Sequence, residues 1–403
     1  MKLELKRQDF LKAWQTAEKT AMSKSMMDIL NSIRINATYD GNITLEATDL
    51  KTSVKCKAEG AAVIEPGTAI VPVVILGGML RKLKCDTLTI EVKESHGMLF
   101  AEGSKSRFAV APLEEFPNIP ESAGAETRCE IAASSLSKII AEGSTASSQP
   151  QDFPKYMGSC LLSITDGKVK VVSTDGKRLA VSEAFCNVYR QEDILLPSQP
   201  FKELARQLSG YDDENVRVIA DGPTVWFALE NAEFSIRRLD ASFPDYERIL
   251  NSNIETALNI SCDDLLSVVE RVDIVAKTTI SHIMVIDMNP DGRLRVYARA
   301  PEGVAGEFLQ ADITGGQMQI GFNAGYFLDG LRALGSGDIH IEFSGNEDQT
   351  RMTRSDDKSF LYMLMPSRLS PQDILDDELN SSVPTPELDL SEIEPEEFDE
   401  TSE

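Results

Sequence analysis

Apolar and polar positions along this chain fall into one pattern that occurs three times. Each occurrence opens with strict alternation, the mark of a half-buried strand, and then switches to helical spacing. The first reads Leu3, Leu5, then Phe10, Leu11, Trp14; the second Ile131, then Leu136, Ile139, Ile140; the third Leu258, Ile260, then Leu265, Leu266, Val269. At the switch, Asp9, Ser135 and Asp264 are expected to cap the helices by accepting from free first-turn amides. Asp-Gly turns follow at Asp40-Gly41, Asp166-Gly167 and Asp291-Gly292, separated by 126 and 125 residues, and each opens another alternating strand. A further strand then breaks into a second helix, predicted over 76–83, 201–208 and 322–334, with Pro72 and Pro197 at two of the breaks. Proline there costs no helical hydrogen bond. Exits are marked by Phe116-Pro117, Phe243-Pro244 and Met365-Pro366.

One unit therefore reads β-α-β-β-β-β-α-β-β-β, an α+β domain with helices packed on one side of antiparallel sheet. A fixed period of this length signals a repeat architecture. The expected boundaries are 1–125, 126–252 and 253–369, with an acidic tail over 370–403. That tail carries 13 acidic and no basic residues from Pro371 to Glu403. It has too little apolar surface to offset chain entropy and is expected to be disordered.

Composition narrows the function mainly by exclusion. Six cysteines (56, 85, 129, 160, 186 and 262) are scattered without metal or redox spacing, so they read as small core residues. His96, His282 and His340 lie far apart, and no metal or cofactor is expected. The chain lacks nucleotide-binding loops, zinc-protease motifs and nucleophile elbows, so an enzyme is disfavoured. No stretch has the length of a membrane span, and the N-terminus goes straight into alternating structure without an apolar leader core. A cytoplasmic protein is expected.

The formal net charge of −25 argues at first against nucleic acid. Its distribution is less simple. Windows 1–24, 76–84, 136–147, 200–208, 263–277 and 322–334 together carry about +5, whereas the rest of 1–370 carries about −17. Either these are ordinary solvated helix faces, or the helices face a polyanion while the sheets face solvent. In the second case binding would go to phosphates without base readout, weakly and with strong salt dependence.

Three segments carry a specific resemblance: Thr174-Asp175-Gly176-Lys177-Arg178-Leu179-Ala180, Phe243-Pro244-Asp245-Tyr246-Glu247-Arg248-Ile249, and Tyr362-Met363-Leu364-Met365-Pro366-Ser367-Arg368-Leu369. With their spacing, they make residues 1 to about 369 resemble the bacterial DNA sliding clamp, the beta subunit of DNA polymerase III. The resemblance implies a non-catalytic processivity factor, a homodimeric ring whose bore is lined by helices and whose outer surface is antiparallel sheet. Its partners would be duplex DNA held by topology, a replicative polymerase subunit, a clamp loader and other proteins bearing a clamp-binding motif. Matching the family position by position, a partner-peptide cleft would comprise Met157, Thr174, Gly176, Lys177, Arg178, Leu179, Pro244, Ile249, Met363, Met365, Pro366, Ser367, Arg368 and Leu369. DNA contacts would come from Lys24, Arg81, Lys82, Gln149, Lys155, Tyr156, Lys202 and Arg206. The dimer interface would use Lys105, Arg107, Phe108 and Val110 against Ile274, Val275, Glu302 and Glu307.

There are departures from the family. Ser198-Gln199-Pro200 lacks a cation that the family commonly has, and Val73-Val74 lacks an expected charged pair. The chain also continues past Leu369, where the family usually stops. Within that extension, Glu387-Leu388-Asp389-Leu390-Ser391 looks like a weak clamp-binding peptide, against the simpler reading of a solvating, DNA-repelling tail. A non-catalytic repeat scaffold with a diverged partner set, or a diverged enzyme on this fold, remains the competing reading.

Overall fold

A computed structural model describes residues 1–21, 27–149, 152–250 and 253–375. Lys24 and the segment from Glu387 to Ser391 lie outside the described residues.

The first unit runs β1 (Lys2–Lys6), α1 (Arg7–Ala21), β2 (Ser32–Ala37), β3 (Ile43–Thr48), β4 (Thr52–Lys57), β5 (Ala61–Glu65), β6 (Gly67–Pro72), α2 (Val73–Lys82), β7 (Thr87–Lys93), β8 (His96–Ala101) and β9 (Ser104–Ala109). The second repeats it with β10 (Glu126–Ala132), α3 (Ala133–Gly143), β11 (Ser159–Thr165), β12 (Lys168–Thr174), β13 (Arg178–Phe185), β14 (Asn187–Val188), β15 (Glu192–Pro197), α4 (Ser198–Leu208), β16 (Asn215–Asp221), β17 (Thr224–Ala228) and β18 (Ala232–Arg237). The third has β19 (Thr256–Ser261), α5 (Cys262–Ala276), β20 (Ile283–Met288), β21 (Arg293–Ala300), β22 (Gly303–Gln310), β23 (Asp312–Thr314), β24 (Met318–Asn323), α6 (Ala324–Leu334), β25 (Asp338–Phe343), β26 (Thr350–Arg354) and β27 (Phe360–Leu364).

Among the described residues each unit thus has nine strands, one more than the alternation predicted. The additional strand is the short fifth one, β5, β14 or β23, which folds back to pair with the first strand of its own unit. Two of the three span two and three residues, too short to show a period. The capping residues also need correction. Each first strand enters its helix without an intervening loop, so the expected caps fall inside the first turn. For α5 it is Ser261 whose hydroxyl accepts from the Asp264 amide at 3.3 Å. The glycines of the Asp-Gly turns take positive φ, between 76° and 90°, where a Cβ would be strained.

All pairings are antiparallel, and the units are joined through their sheets. β18 pairs with β4 of the first unit, and β27 pairs with β13 of the second. Among the described residues two nine-stranded sheets result, with a five-stranded sheet in the first unit and a four-stranded one in the third, and the helices cover the sheets' apolar faces with Trp14, Leu136, Phe201, Val269 and Phe327. Of the four cysteines that are buried, Cys56 and Cys160 have thiols that desolvation pushes up to about 12, as expected of packing residues rather than nucleophiles. No described helix is long and apolar enough to cross a membrane.

A polar network reinforces the second seam. Glu142 on α3 is buried, accepts from Ser182 of β13 at 2.6 Å and pairs with Arg354 of β26 at 2.7 Å. Removing one partner of such a pair leaves the other desolvated and uncompensated. Glu142→Ala is therefore expected to cost about 3 kcal/mol, read as a lowered melting temperature in calorimetry.

Candidate partner-binding cleft and sheet edges

The turn Thr174–Arg178 joins β12 to β13, and its sequence dictates its shape. The Asp175 carboxylate accepts from the amides of Lys177 at 2.9 Å and Arg178 at 3.1 Å, an Asx turn. The Thr174 hydroxyl accepts from Gly176 N and donates to Arg178 O. Gly176 sits at φ +85°, and Met157 Cε is only 3.5 Å from where a Cβ would be.

Arg178 staples this turn to the third unit. Its Nε donates to Asp175 at 2.9 Å and one terminal nitrogen donates to Asp329 at 2.6 Å, while the guanidinium lies 4.2 Å above the Tyr326 ring. The neighbouring carboxylates and Tyr362 raise its pKa against the opposing effect of burial. Its charge is thus spent on the seam, and it shapes the cleft rather than offering a free cation. Lys177 is exposed, and its carbonyl accepts from Met365 N at 2.8 Å.

Below the turn, Leu179 and Met363 are buried with Leu161, Val172, Leu195 and Tyr246 in one apolar cluster, flanked by Phe243 and Leu250. Above it, Met365 and Ile249 are 41% and 47% exposed, and Pro244 is exposed as well. Exposed apolar groups over an apolar floor suit a peptide, and methionine can repack around different side chains. An open concavity of about 980 Å³ adjoins, lined among others by Leu161, Lys170, Leu195, Arg237 and Tyr246, and meeting the expected set at Pro244.

Other expected residues fall elsewhere. Ser367 bonds Gly321 of β24, and Leu369 packs with Leu375 against Val285 and Tyr297 of the third unit. Residues 370–375, expected in the tail, are folded there too, with Leu375 6% exposed and Arg299 donating to Ile374 O at 3.0 Å. Tyr156, expected at DNA, stacks edge-on against Phe243 at 6.0 Å and so joins the cleft's aromatic wall. Arg81 pairs with Glu18, Arg206 with Glu203, and Lys202 donates to Ser147 at 2.9 Å with its pKa lowered by burial. Lys82, Gln149 and Lys155 are exposed. The sequence reading missed Tyr246, which stood within a quoted segment, and Asp329, for which no local pattern exists.

At the chain's two ends the expected strand residues of the interface lie on or beside edge strands paired on one side only, β9 with β8 and β22 with β21. β9 bears Lys105, Arg107 and Phe108, with Val110 just beyond; β22 bears Glu307, just after Glu302. Their counterparts in the other units, β18 and β27 for β9, β4 and β13 for β22, are all paired. Phe108 is already buried, its ring over Gly97, whereas Ile274 is 58% exposed and Val275 half-buried on α5.

Three repeated domains fused by continuous sheet, with an apolar cleft at one seam and open edges at both ends, define a clamp-type protein. The comparisons agree. Residues 1–120, 130–245 and 247–368 match, in order, the N-terminal, central and C-terminal domain models of the DNA polymerase III beta subunit. The beta sliding clamp of Pseudomonas aeruginosa is 27% identical over 374 residues, 92% of this chain and 100% of that one. That of Vibrio cholerae is 26% identical with the same coverage. The crystal structure of the Pseudomonas aeruginosa subunit superposes with a TM-score of 0.85 at 25% identity, over 92% of this chain and all of that one. The chain belongs to the DNA polymerase III beta subunit family, the bacterial sliding clamps. It is a processivity subunit of a DNA polymerase and performs no chemistry of its own.

Arg178→Lys keeps the charge but loses the planar fork that reaches Asp175 and Asp329 together. It is expected to lower the melting temperature and to weaken binding of an apolar peptide in the cleft about tenfold, measured by fluorescence anisotropy.

Proposed function

We propose that two copies close head to tail into a ring, β9 of each pairing with β22 of the other. Repetition supports this: of three equivalent junctions per chain, two are filled internally and the third is left with complementary free edges. Carrying the inner-seam register to the free pair sets Phe108 opposite Val304 and Lys105 near Glu307, to within a residue. A heterologous contact of this kind either closes or polymerises. Three units per chain in two chains give six similar rotations.

Duplex DNA would pass through the helix-lined centre. Lys82, Gln149 and Lys155 are exposed expected contacts, and the ion pairs of Arg81 and Arg206, likewise exposed, would keep the bore only modestly basic. Retention is then topological and sliding is permitted. A clamp loader would open the ring. The cleft would hold the apolar peptide of a polymerase subunit or another partner, on Met365 and Ile249 over Leu179 and Met363.

The test is loading onto nicked circular DNA with a clamp loader and ATP. Retention on the circle at high salt, followed by loss once the DNA is linearised, is expected. A protein washed off circle and linear DNA alike would refute the reading. In the cleft, Met365→Ala and Ile249→Ala should each weaken a leucine-bearing partner peptide about tenfold, by anisotropy, without altering the melting temperature.

A further inference from the structure

The six cysteines are scattered in sequence, yet the fold brings two of them together. Val188 of β14 faces Cys129 of β10, and Asn187 faces Glu130. Continued by one residue, this antiparallel register sets Cys186 opposite Ile131, two places along from Cys129 and on the same face. Both side chains belong to the first core cluster, Cys129 buried within it and Cys186 half-buried at its margin. Their thiols share a hydrogen bond. Cys56 and Cys262 behave differently, for their thiols donate to the carbonyls of Ala13 and Leu331 at 3.4 and 3.5 Å.

The pair sits where two sheets meet. Cys129 lies on the sheet that carries the first seam, whereas Cys186 directly follows β13, a strand of the sheet that carries the second. The Cys186 amide donates to Gly167 O at 2.9 Å, which ties it to the β11–β12 turn. A covalent bond between the two sulfurs would join the nine-stranded sheets inside the second unit. It would also close a loop containing β11, β12, β13 and the Thr174–Arg178 turn of the cleft.

The two thiols differ in a way that orders a reaction. Burial pushes both up from the ordinary thiol range, so both are protonated at neutral pH. The shared hydrogen bond works the other way at Cys186 and favours its thiolate. Cys186 is also the member that a small molecule can reach, with buried Cys129 directly behind it.

We propose that Cys129 and Cys186 form a reversible dithiol–disulfide site, oxidised by hydrogen peroxide, that staples the two nine-stranded sheets together. The Cys186 thiolate attacks one peroxide oxygen; the O–O bond breaks, hydroxide leaves and a sulfenic acid remains. Cys129 then gives up its proton, and its sulfur attacks the Cys186 sulfur. The S–O bond breaks and the oxygen leaves as water. Two thiols and one peroxide thus give one disulfide and two waters.

The experiment treats the full chain with hydrogen peroxide at pH 8.5, where the thiolate fraction is larger. Expected are the loss of two hydrogens in the intact mass, a 129–186 crosslinked peptide on mapping, and four of the six thiols still titratable after denaturation. Because the bridge closes a long loop, the oxidised chain is expected to melt at least about 3 °C higher. Dithiothreitol should reverse both changes. Cys186→Ser should lose the bridge and melt, with or without peroxide, at the temperature of the reduced wild type. Cys85→Ser, at the other half-buried cysteine, should keep the bridge. Six free thiols after peroxide, a different pairing, or further oxidation of Cys186 beside a free Cys129 would each overturn the proposal. A bridge that leaves the melting temperature unchanged would overturn the staple.

Discussion

An antiparallel sheet is stable only where its outer strand finds a partner or is protected from one, because unpaired amides and carbonyls recruit whatever strand comes near. This chain meets that requirement by donating the last strand of each unit to the sheet of the preceding one. β18 enters the first unit's sheet and β27 the second's. The choice makes rigid junctions of what would otherwise be linkers, and it necessarily leaves one donor, β9, and one acceptor, β22, unused. These are six and eight residues long, ample templates for pairing. Assembly is thus built into the connectivity before any side chain is considered.

Side chains then make the junctions unequal. Charge locks the second seam: buried Glu142 pairs with Arg354, and buried Arg178, held by Asp175 of its own unit, reaches Asp329 of the third. The same Arg178 fixes the turn beside which Met365 and Ile249 stand exposed. Strength at this seam and shape in the cleft therefore share one cause. A peptide bound in the proposed cleft would meet a preorganised floor and lose less entropy than on a mobile surface.

The sequence showed the threefold repeat, the six helices and most strands, because alternation, helical spacing and Asp-Gly turns are local signals. It did not show β14 or β23, which are too short for a period, and it placed the helix caps late because the strand-to-helix junctions have no loop. In the cleft, the quoted segments led to Leu179, Met363 and Ile249, but not to the role of Arg178. Whether a cation is free or stapled depends on Asp329, which lies in another unit with no motif around it. The same limit applies to Tyr156 and Leu369: neighbours distant in sequence, Phe243 and Leu375, decide where they pack.

The unequal seams also bear on how such a ring can be both durable and openable. Inner seams are covalently continuous, so buried charge there only needs to resist local fraying. A closing seam must form between separate copies and come apart intact. Long charged side chains, already bonded within their own chain as Arg271 and Glu307 are, contribute little net attraction once desolvation and lost rotamer freedom are counted. Small aliphatic groups on rigid helices lose little entropy on contact and leave no uncompensated charge on separation. A seam built on two free strand edges, β9 and β22, fits those opposing demands better than a copy of the charged inner junction would.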